Sequence, residues 1–312
     1  MDATAVTAPA AAARPTAEPE LARAAEVLPG RRFAGRFACT RRDRLVARNG
    51  GTYLAVELRD HTGVLKARVF READRIAARF DRGDAIWVRG RAERFRGELV
   101  AELDDVRRLE PGSYDPAELL PSAYRAIDEL EGFLEHLGRE VHDPGLAAAI
   151  NHAVFSEPTW TEFRRAPCTR AGHHAYLGGL IEHTVAVATL VGELCQLHPR
   201  LDSDLLMAAA IVHDVGKVRE FSYRAEIELS EEGRALGHLA IGAEIVGAAC
   251  RGLDEPRRLA LLGCLLCHHG PQAGPARAGS SGRSGFPSAE ALALYRLNAL
   301  DASVKSALEH GV

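Results

Sequence analysis

Seven residues of metal-ligating type lie in the most apolar stretches of this chain, and no other feature limits its fold so strongly. In order they are His183, His213-Asp214, His238, His268-His269 and Asp301. His183 follows Leu180-Ile181, and His213-Asp214 closes an aliphatic run from Leu205 to Val212. His268-His269 ends a run containing Leu261, Leu262, Leu265 and Leu266. Burying so many ionisable groups among aliphatic side chains is costly unless they pair or coordinate a metal. A lone histidine at a helix end is commonly a cap or a satisfied core residue, but that reading does not account for the whole set. A packed helical bundle can aim ligands from facing helices at one interior site. Imidazole and carboxylate donors suit Mn²⁺, Fe, Co²⁺ or Ni²⁺ as well as Zn²⁺, so the residues leave the metal open. Val215-Gly216-Lys217 follows His213-Asp214. Gly216 is expected to end the helix in a left-handed turn, leaving both side chains at a cavity edge. Lys217 then either offsets negative charge beside the cluster or is an exposed charge after a helix.

The helical reading extends over the C-terminal half. Apolar residues recur with a 3.6-residue period at 176–197, 205–213, 236–250, 256–268 and 289–308. Between the last two lies a Gly/Ser-rich stretch, 270–288, expected to be a mobile loop. Residues 1–20 are Ala/Pro/Thr-rich with few aliphatic anchors. They read as a disordered tail, taken as 1–30, with order beginning near Leu21 or somewhat later. No run reaches the roughly 18 apolar residues of a membrane helix, and no basic segment with an apolar core opens the chain. Six cysteines over 312 residues do not make a disulfide framework. The expected setting is therefore the cytoplasm, with no membrane partner.

From 31 to 109 the pattern changes. Runs at 33–39, 53–59 and 64–70 alternate apolar and polar residues, a helical segment follows at 71–80, and two more strands occupy 85–91 and 98–109. Turns fall at Asn49-Gly50-Gly51 and Asp60-His61-Thr62-Gly63. Three strands, a helix and two strands is the order of an OB-fold barrel. The expected class is α+β multidomain: an N-terminal OB-fold β-barrel at 31–109, a Pro/Gly linker at 110–122, and an all-α domain at 123–312.

Charge separates the halves. The barrel segment holds 20 Arg and Lys against 12 Asp and Glu, leaving 19 against 31 for the rest of the chain's 39 and 43. A basic module on an acidic body suggests a polyanionic partner for the module. OB-folds hold single strands by aromatic stacking in a basic groove. Phe37, Tyr53, Phe70, Trp87 and Phe95 are the aromatic candidates; barrel core suits Phe70 and Trp87, and stacking suits Tyr53 and Phe95. Arg41, Arg42, Arg44 and Arg48 are placed on the first long loop, and Arg91, Arg94 and Arg96 around the last hairpin. His173-His174 reads equally as a substrate contact or a surface pair. Cys264 and Cys267 read as helix-face or core thiols.

The order His…His-Asp…Asp met by His183, His213-Asp214 and Asp301 resembles the HD superfamily of metal-dependent phosphohydrolases. The added His238 and His268-His269 resemble its branch that holds two ions. That resemblance implies one ion on His183, His213, Asp214 and Asp301, and a second on Asp214, His238, His268 and His269, with Asp214 bridging. It makes Asp214 and Lys217 the catalytic residues, with Mn²⁺ preferred over Co²⁺, Fe, Ni²⁺ or Zn²⁺. Together with Gly51-Thr52-Tyr53-Leu54, Asp60-His61-Thr62-Gly63, the stretch from His173 to Leu180, His213 to Glu220, Gly237-His238 and Cys267-His268-His269-Gly270, the chain resembles the YhaM-like 3′–5′ exoribonucleases. The resemblance runs from about Arg32 to Leu308. It implies trimming of single-stranded RNA, and of single-stranded DNA as well, with Tyr53, Phe95, Arg42, Arg44, Arg94, Arg96 and His174 on the nucleic acid. The chain departs from that family at 271–288, and in reading Asn298-Ala299-Leu300-Asp301 where the family tends to Asp-Asn-Leu-Asp.

Two other readings compete. A nucleotide or cyclic-dinucleotide phosphohydrolase with a regulatory OB-fold would use the same ligands, because they specify phosphoester chemistry and not the leaving group. A pure binding protein would have no need of seven ligands. Homo-oligomerisation is left open.

Overall fold

The computed structural model describes residues 21–47, 50–272 and 285–311. The expected tail at 1–20, Arg48-Asn49 and most of the 270–288 loop lie outside them.

Strict alternation builds the first unit. In β3 (Gly63–Val69), Leu65, Ala67 and Val69 point inward while Lys66 lies exposed between them. β1 (Arg32–Val46), β2 (Thr52–Asp60) and β3 are joined antiparallel, and α1 (Ala73–Ala77) leads to β4 (Ala85–Phe95) and β5 (Glu98–Arg108). The order β1-β2-β3-β5-β4 closes with β4 antiparallel to β1 and β3 parallel to β5. This is the expected OB-fold barrel, filled by Phe37, Leu54, Leu58, Ile86 and Val88.

Residues 21–30, expected as tail, are seated on the barrel. Ala24 and Val27 join its core, and the Ala24 amide donates to Asp60 Oδ2 at 2.7 Å. The linker also proves to be packed. A 3-10 turn at Pro116–Glu118 leads into Leu119 and Leu120, both buried. Leu119 packs with Ala38 and Ala85 of the barrel and Ala225 of the second half; Leu120 packs with Leu177 and Ile227. Pro and Gly at 110–121 marked irregular backbone, which need not be solvated.

The second half contains α2 (Ile127–Arg139), α3 (Pro144–Ala153), α4 (Thr159–Arg165), α5 (Gly179–Leu197), α6 (Ser203–Val212), α7 (Lys217–Glu220), α8 (Glu231–Ala249), α9 (Glu255–Cys267) and α10 (Ala289–His310). Asp143, Asp202, Ser230, Asp254 and Ser288 cap α3, α6, α8, α9 and α10 by accepting from amides of the first turn. α6 is buried from Leu205 to Val212 and packs against α3, α5, α9 and α10. A small hairpin of β6 (Phe221–Tyr223) and β7 (Ile227–Leu229) interrupts the expected run of helices. By length and composition α5 does reach the threshold for crossing a membrane, contrary to the sequence reading. Here it is a core helix, with Leu180, Ile181, His183, Val187 and Val191 fully buried.

Replacing Leu119 tests the packed linker. Leu119→Ala should lower unfolding free energy by about 2–5 kcal/mol in urea titrations, whereas a solvated linker residue would change it by only about 0.5 kcal/mol.

Candidate metal centre

Five helices bring the predicted cluster together. His183 lies in α5, His213 caps α6, and Asp214 follows in the turn to α7. His238 comes from α8, His268 caps α9 with His269 next to it, and Asn298 and Asp301 lie on α10. Gly216 is right-handed, at φ −61°, and not the expected left-handed terminator. Its missing side chain serves proximity instead: a Cβ there would stand 2.1 Å from the His238 carbonyl oxygen. Gly237 takes φ 70° and kinks α8. The kink lets the next residue, His238, donate its backbone amide to Glu220 Oε1 at 3.0 Å.

The imidazoles are oriented through their Nδ1 atoms. His213 Nδ1 donates to the Ala210 carbonyl at 2.8 Å, and His268 Nδ1 to the Leu265 carbonyl at 2.6 Å. A carbonyl only accepts, so both rings carry their proton on Nδ1. His183 Nδ1 donates to Asp301 Oδ2 at 2.6 Å and His238 Nδ1 to Glu220 Oε1 at 3.0 Å. Burial alone would raise both carboxyls; hydrogen bonds from His174 and His183 hold Asp301 well below its ordinary range, and His238 holds Glu220 low. Four Nε2 lone pairs are thereby turned inward.

Those lone pairs converge on Asp214. Its Oδ2 lies 3.3 Å from His213 Nε2 and 3.5 Å from His183 Nε2. Its Oδ1 lies 3.4 Å from His268 Nε2 and 3.7 Å from His238 Nε2. His183 and His213 face each other through Nε2 at 3.2 Å, and His238 and His269 at 2.9 Å. Buried Asp214 Oδ1 and His268 Nε2 have no hydrogen-bond partner. Converging lone pairs repel, and buried unpaired acceptors are costly. A cation between them removes both penalties. His183, His213 and Asp214 form one group able to hold an ion, and Asp214, His238, His268 and His269 form another.

The local electrostatics are consistent with that fit. Burial depresses His183 to about 4 and His268 to about 3, so both rings are unprotonated near neutrality. Burial would raise Asp214, but the Lys217 ammonium opposes it and the carboxyl is held well below its usual range. Lys217, far from exposed, is buried with Nζ 2.7 Å from Asp214 Oδ2 and 3.3 Å from Cys168 Sγ. Burial pulls its ammonium down, and Asp214 more than reverses this. The Cys168 thiol is pushed up to about 12 by burial.

Other expected site residues are placed differently. Asp301 stands on the outer nitrogen of His183, not beside Asp214. His174 is 1% exposed, with Nε2 3.1 Å from Asp301 Oδ2 and Nδ1 2.9 Å from the Tyr176 hydroxyl, so it cannot meet a substrate. His173 does line the cleft over the cluster, about 500 Å³ in volume, together with Arg170, Lys217, Tyr295 and Asn298. Arg170 and Tyr295 were missed, since no local motif distinguishes them, and Asn298 stood out in the sequence only as a departure from the family pattern.

On the barrel, Arg41, Arg42 and Arg44 belong to β1 rather than a loop. Arg42 is committed to the Ala77 and Phe80 carbonyls and to Asp81, a structural role that takes it off the nucleic-acid face. Arg44 pairs with Asp74 at the surface. Phe37 is core, but Phe70 is 45% exposed and packs on Tyr53 with ring centroids 5.3 Å apart. Trp87 likewise lies outside the barrel core, half-buried beneath Arg107. Phe95 is exposed, with the Arg68 and Arg96 guanidinium groups 4.5 and 5.4 Å from its ring centre. Arg94 donates to the Gly97 carbonyl across the last hairpin.

The metal-free chain should weaken in mild acid. Below pH 6.5 the unfolded state protonates imidazoles that His183 and His268 keep neutral down to about 4 and 3. Stability therefore falls as pH drops from about 6.5 to 4. His173 and His269, likewise depressed to about 4 by burial, add to this loss, whereas His174, whose value is raised because Asp301 and Glu182 outweigh its burial, contributes stability below about 6.5 that is lost only as pH rises above it. Tm measured in a chelator across that range checks this; a flat profile would contradict it.

Comparison with known proteins matches residues 33–109 to the OB-fold nucleic acid binding domain and residues 180–303 to the HD domain. A 3′–5′ exoribonuclease YhaM of Halalkalibacterium halodurans is 27% identical over 227 residues, covering 72% of this chain and 70% of that one. The protein of the same name from Bacillus subtilis is 27% identical over 228 residues, covering 72% of each. Among solved structures, the second OB-fold domain of replication protein A from Methanococcus maripaludis aligns at 16% identity and TM-score 0.26, covering 30% of this chain and all of that one.

Proposed function

From a chain that joins an OB-fold nucleic acid binding domain to an HD domain, we propose a metal-dependent 3′–5′ exoribonuclease. It hydrolyses phosphodiester bonds of single-stranded RNA, and of single-stranded DNA as a second substrate. The observation that carries the chemistry is Asp214, whose two oxygens face two separate histidine groups. The polymer and the direction rest on the relatives named 3′–5′ exoribonuclease.

In this reading His183, His213 and Asp214 hold one divalent ion, and Asp214, His238, His268 and His269 hold a second. Mn²⁺ suits a site of imidazole and carboxylate, with Co²⁺, Fe, Ni²⁺ and Zn²⁺ as alternatives. Bound there, such ions supply an activated water and neutralise charge on the phosphate oxygens. The chain's own residues do the rest. Asp214 ties the two groups together, and Lys217, salt-bridged to it, keeps positive charge at the cleft floor. Arg170 and Tyr295 line the cleft and in this reading would meet a phosphate and a base. Asp301 and Glu220 fix the tautomers of His183 and His238, as carboxylates behind metal-ligating imidazoles do. The Tyr53–Phe70 pair and Phe95, bracketed by Arg68 and Arg96, provide stacking surfaces for unpaired bases.

The deciding experiment is a product ladder from 5′-labelled single-stranded RNA with Mn²⁺. Progressive one-nucleotide shortening that disappears in Asp214→Ala supports the reading. An intact oligonucleotide alongside hydrolysis of free nucleotides would replace it with a small-nucleotide phosphohydrolase. Because stacking and chemistry lie in separate domains, Tyr53→Ala should weaken single-strand binding by about 1–3 kcal/mol. Asp214→Ala should leave that binding nearly unchanged in the same filter assay.

A further inference from the structure

Asn298 lies on α10, is almost fully buried, and borders the cleft. Its Nδ2 donates to the His268 carbonyl at 3.2 Å. A carbonyl can only accept, so that contact fixes which end of the amide is which. Oδ1 is left facing His183 Nε2 at 3.0 Å. With His183 Nδ1 already donating to Asp301, a neutral ring has no proton on Nε2 to give. The contact is therefore one more pair of opposed acceptors, beside the 3.2 Å approach of His183 Nε2 to His213 Nε2. Three acceptors from three helices thus share one point, and Asp214 Oδ2 closes it from a fourth side.

Asp301 is three residues further along α10, on the same face. Its Oδ2 accepts from both His183 and His174. That oxygen is engaged behind the ring, on the side away from Asp214.

Resting on the two-group reading above, we propose that Asn298, through its amide oxygen, completes the ion site of His183, His213 and Asp214, while Asp301 acts as a positioning residue for His183. The consequence is a difference in donor strength and affinity. The His238–His268–His269 group has three imidazoles and Asp214; the His183–His213 group has two imidazoles, a neutral amide and the same shared carboxylate. An amide oxygen is a weaker donor than an imidazole nitrogen toward such ions, so the ion nearest His183 is the weaker of two, and its occupancy follows the free metal concentration.

Equilibrium dialysis of the full-length protein against MnCl₂, read by elemental analysis, tests this without reference to activity. Wild-type protein should bind two ions in distinguishable steps. Asn298→Asp should tighten the weaker step by about tenfold or more. Asn298→Ala should lose that step and keep the tighter one, with circular dichroism confirming that it folds. Asp301→Asn, which retains a hydrogen-bonding side chain behind His183, should still bind two ions. Loss of the weaker ion in Asp301→Asn with unaltered binding in Asn298→Ala and Asn298→Asp would overturn the assignment and make Asp301 the ligand. Wild-type protein that binds no divalent ion would instead sink the metal-centre reading itself, and this assignment with it.

Discussion

A single buried carboxylate organises the second half of this protein. Asp214 is 1% exposed, yet it is held ionised, chiefly by the Lys217 ammonium, against the effect of burial. One oxygen faces His183 and His213 and the other faces His238 and His268. Several kcal/mol of desolvation attend any ion buried in this way. The Lys217 ammonium offsets part of it, but it reaches only Oδ2, and Oδ1 is left without a hydrogen-bond donor. The surrounding fold therefore makes physical sense only as a container for positive charge.

The helices contribute to that charge balance by their direction as well as their side chains. α6 and α9 both end at the cluster, and each places a histidine at its C-terminal cap. Carbonyls of a last turn lack amide partners within the helix, and the C-terminal end carries partial negative charge. His213 and His268 each donate Nδ1 to the carbonyl three residues back. One contact engages a carbonyl of the last turn, sets a tautomer and points a lone pair inward. The close approach at Gly216 then brings α8 near enough for His238 to reach the other face of Asp214.

Much of this was legible in the sequence because it was periodic or clustered. The five strands and the long helices followed from alternation and 3.6-residue spacing, and the seven-residue set followed from polar groups in apolar runs. What escaped was orientation. Asn298 and Asp301 share a helix face, and composition favoured the carboxylate over the amide. Only the hydrogen bond from Asn298 to the His268 carbonyl distinguishes their roles. His173 and His174 are neighbours with opposite fates because His174 takes φ 52° and turns inward. The placement of Phe70 and Trp87 could have been read correctly: Phe70 shares parity with Lys66 and Arg68, and Trp87 with Arg89 and Arg91. Those partners point out of the barrel, so the aromatics do too. Assigning large aromatics to the core by size alone overrode a stronger geometric rule.

That parity also explains how a small barrel can present aromatic surface without losing stability. Its interior is filled by aliphatic residues with Phe33, Phe37 and Phe80, so the outward Tyr53, Phe70, Trp87 and Phe95 are not needed to fill it. Each is instead steadied by a neighbour: Tyr53 and Phe70 by one another, Trp87 by Arg107, and Phe95 by Arg68 and Arg96. Arginine over an aromatic face limits ring motion and keeps a positive charge beside it. In the proposed function a base stacking on such a ring would meet a surface already ordered, and its phosphate would meet the adjoining guanidinium group. In the acidic second half the same proposal would draw the positive charge for phosphate from the cleft itself, from Lys217, Arg170 and a cation held at Asp214.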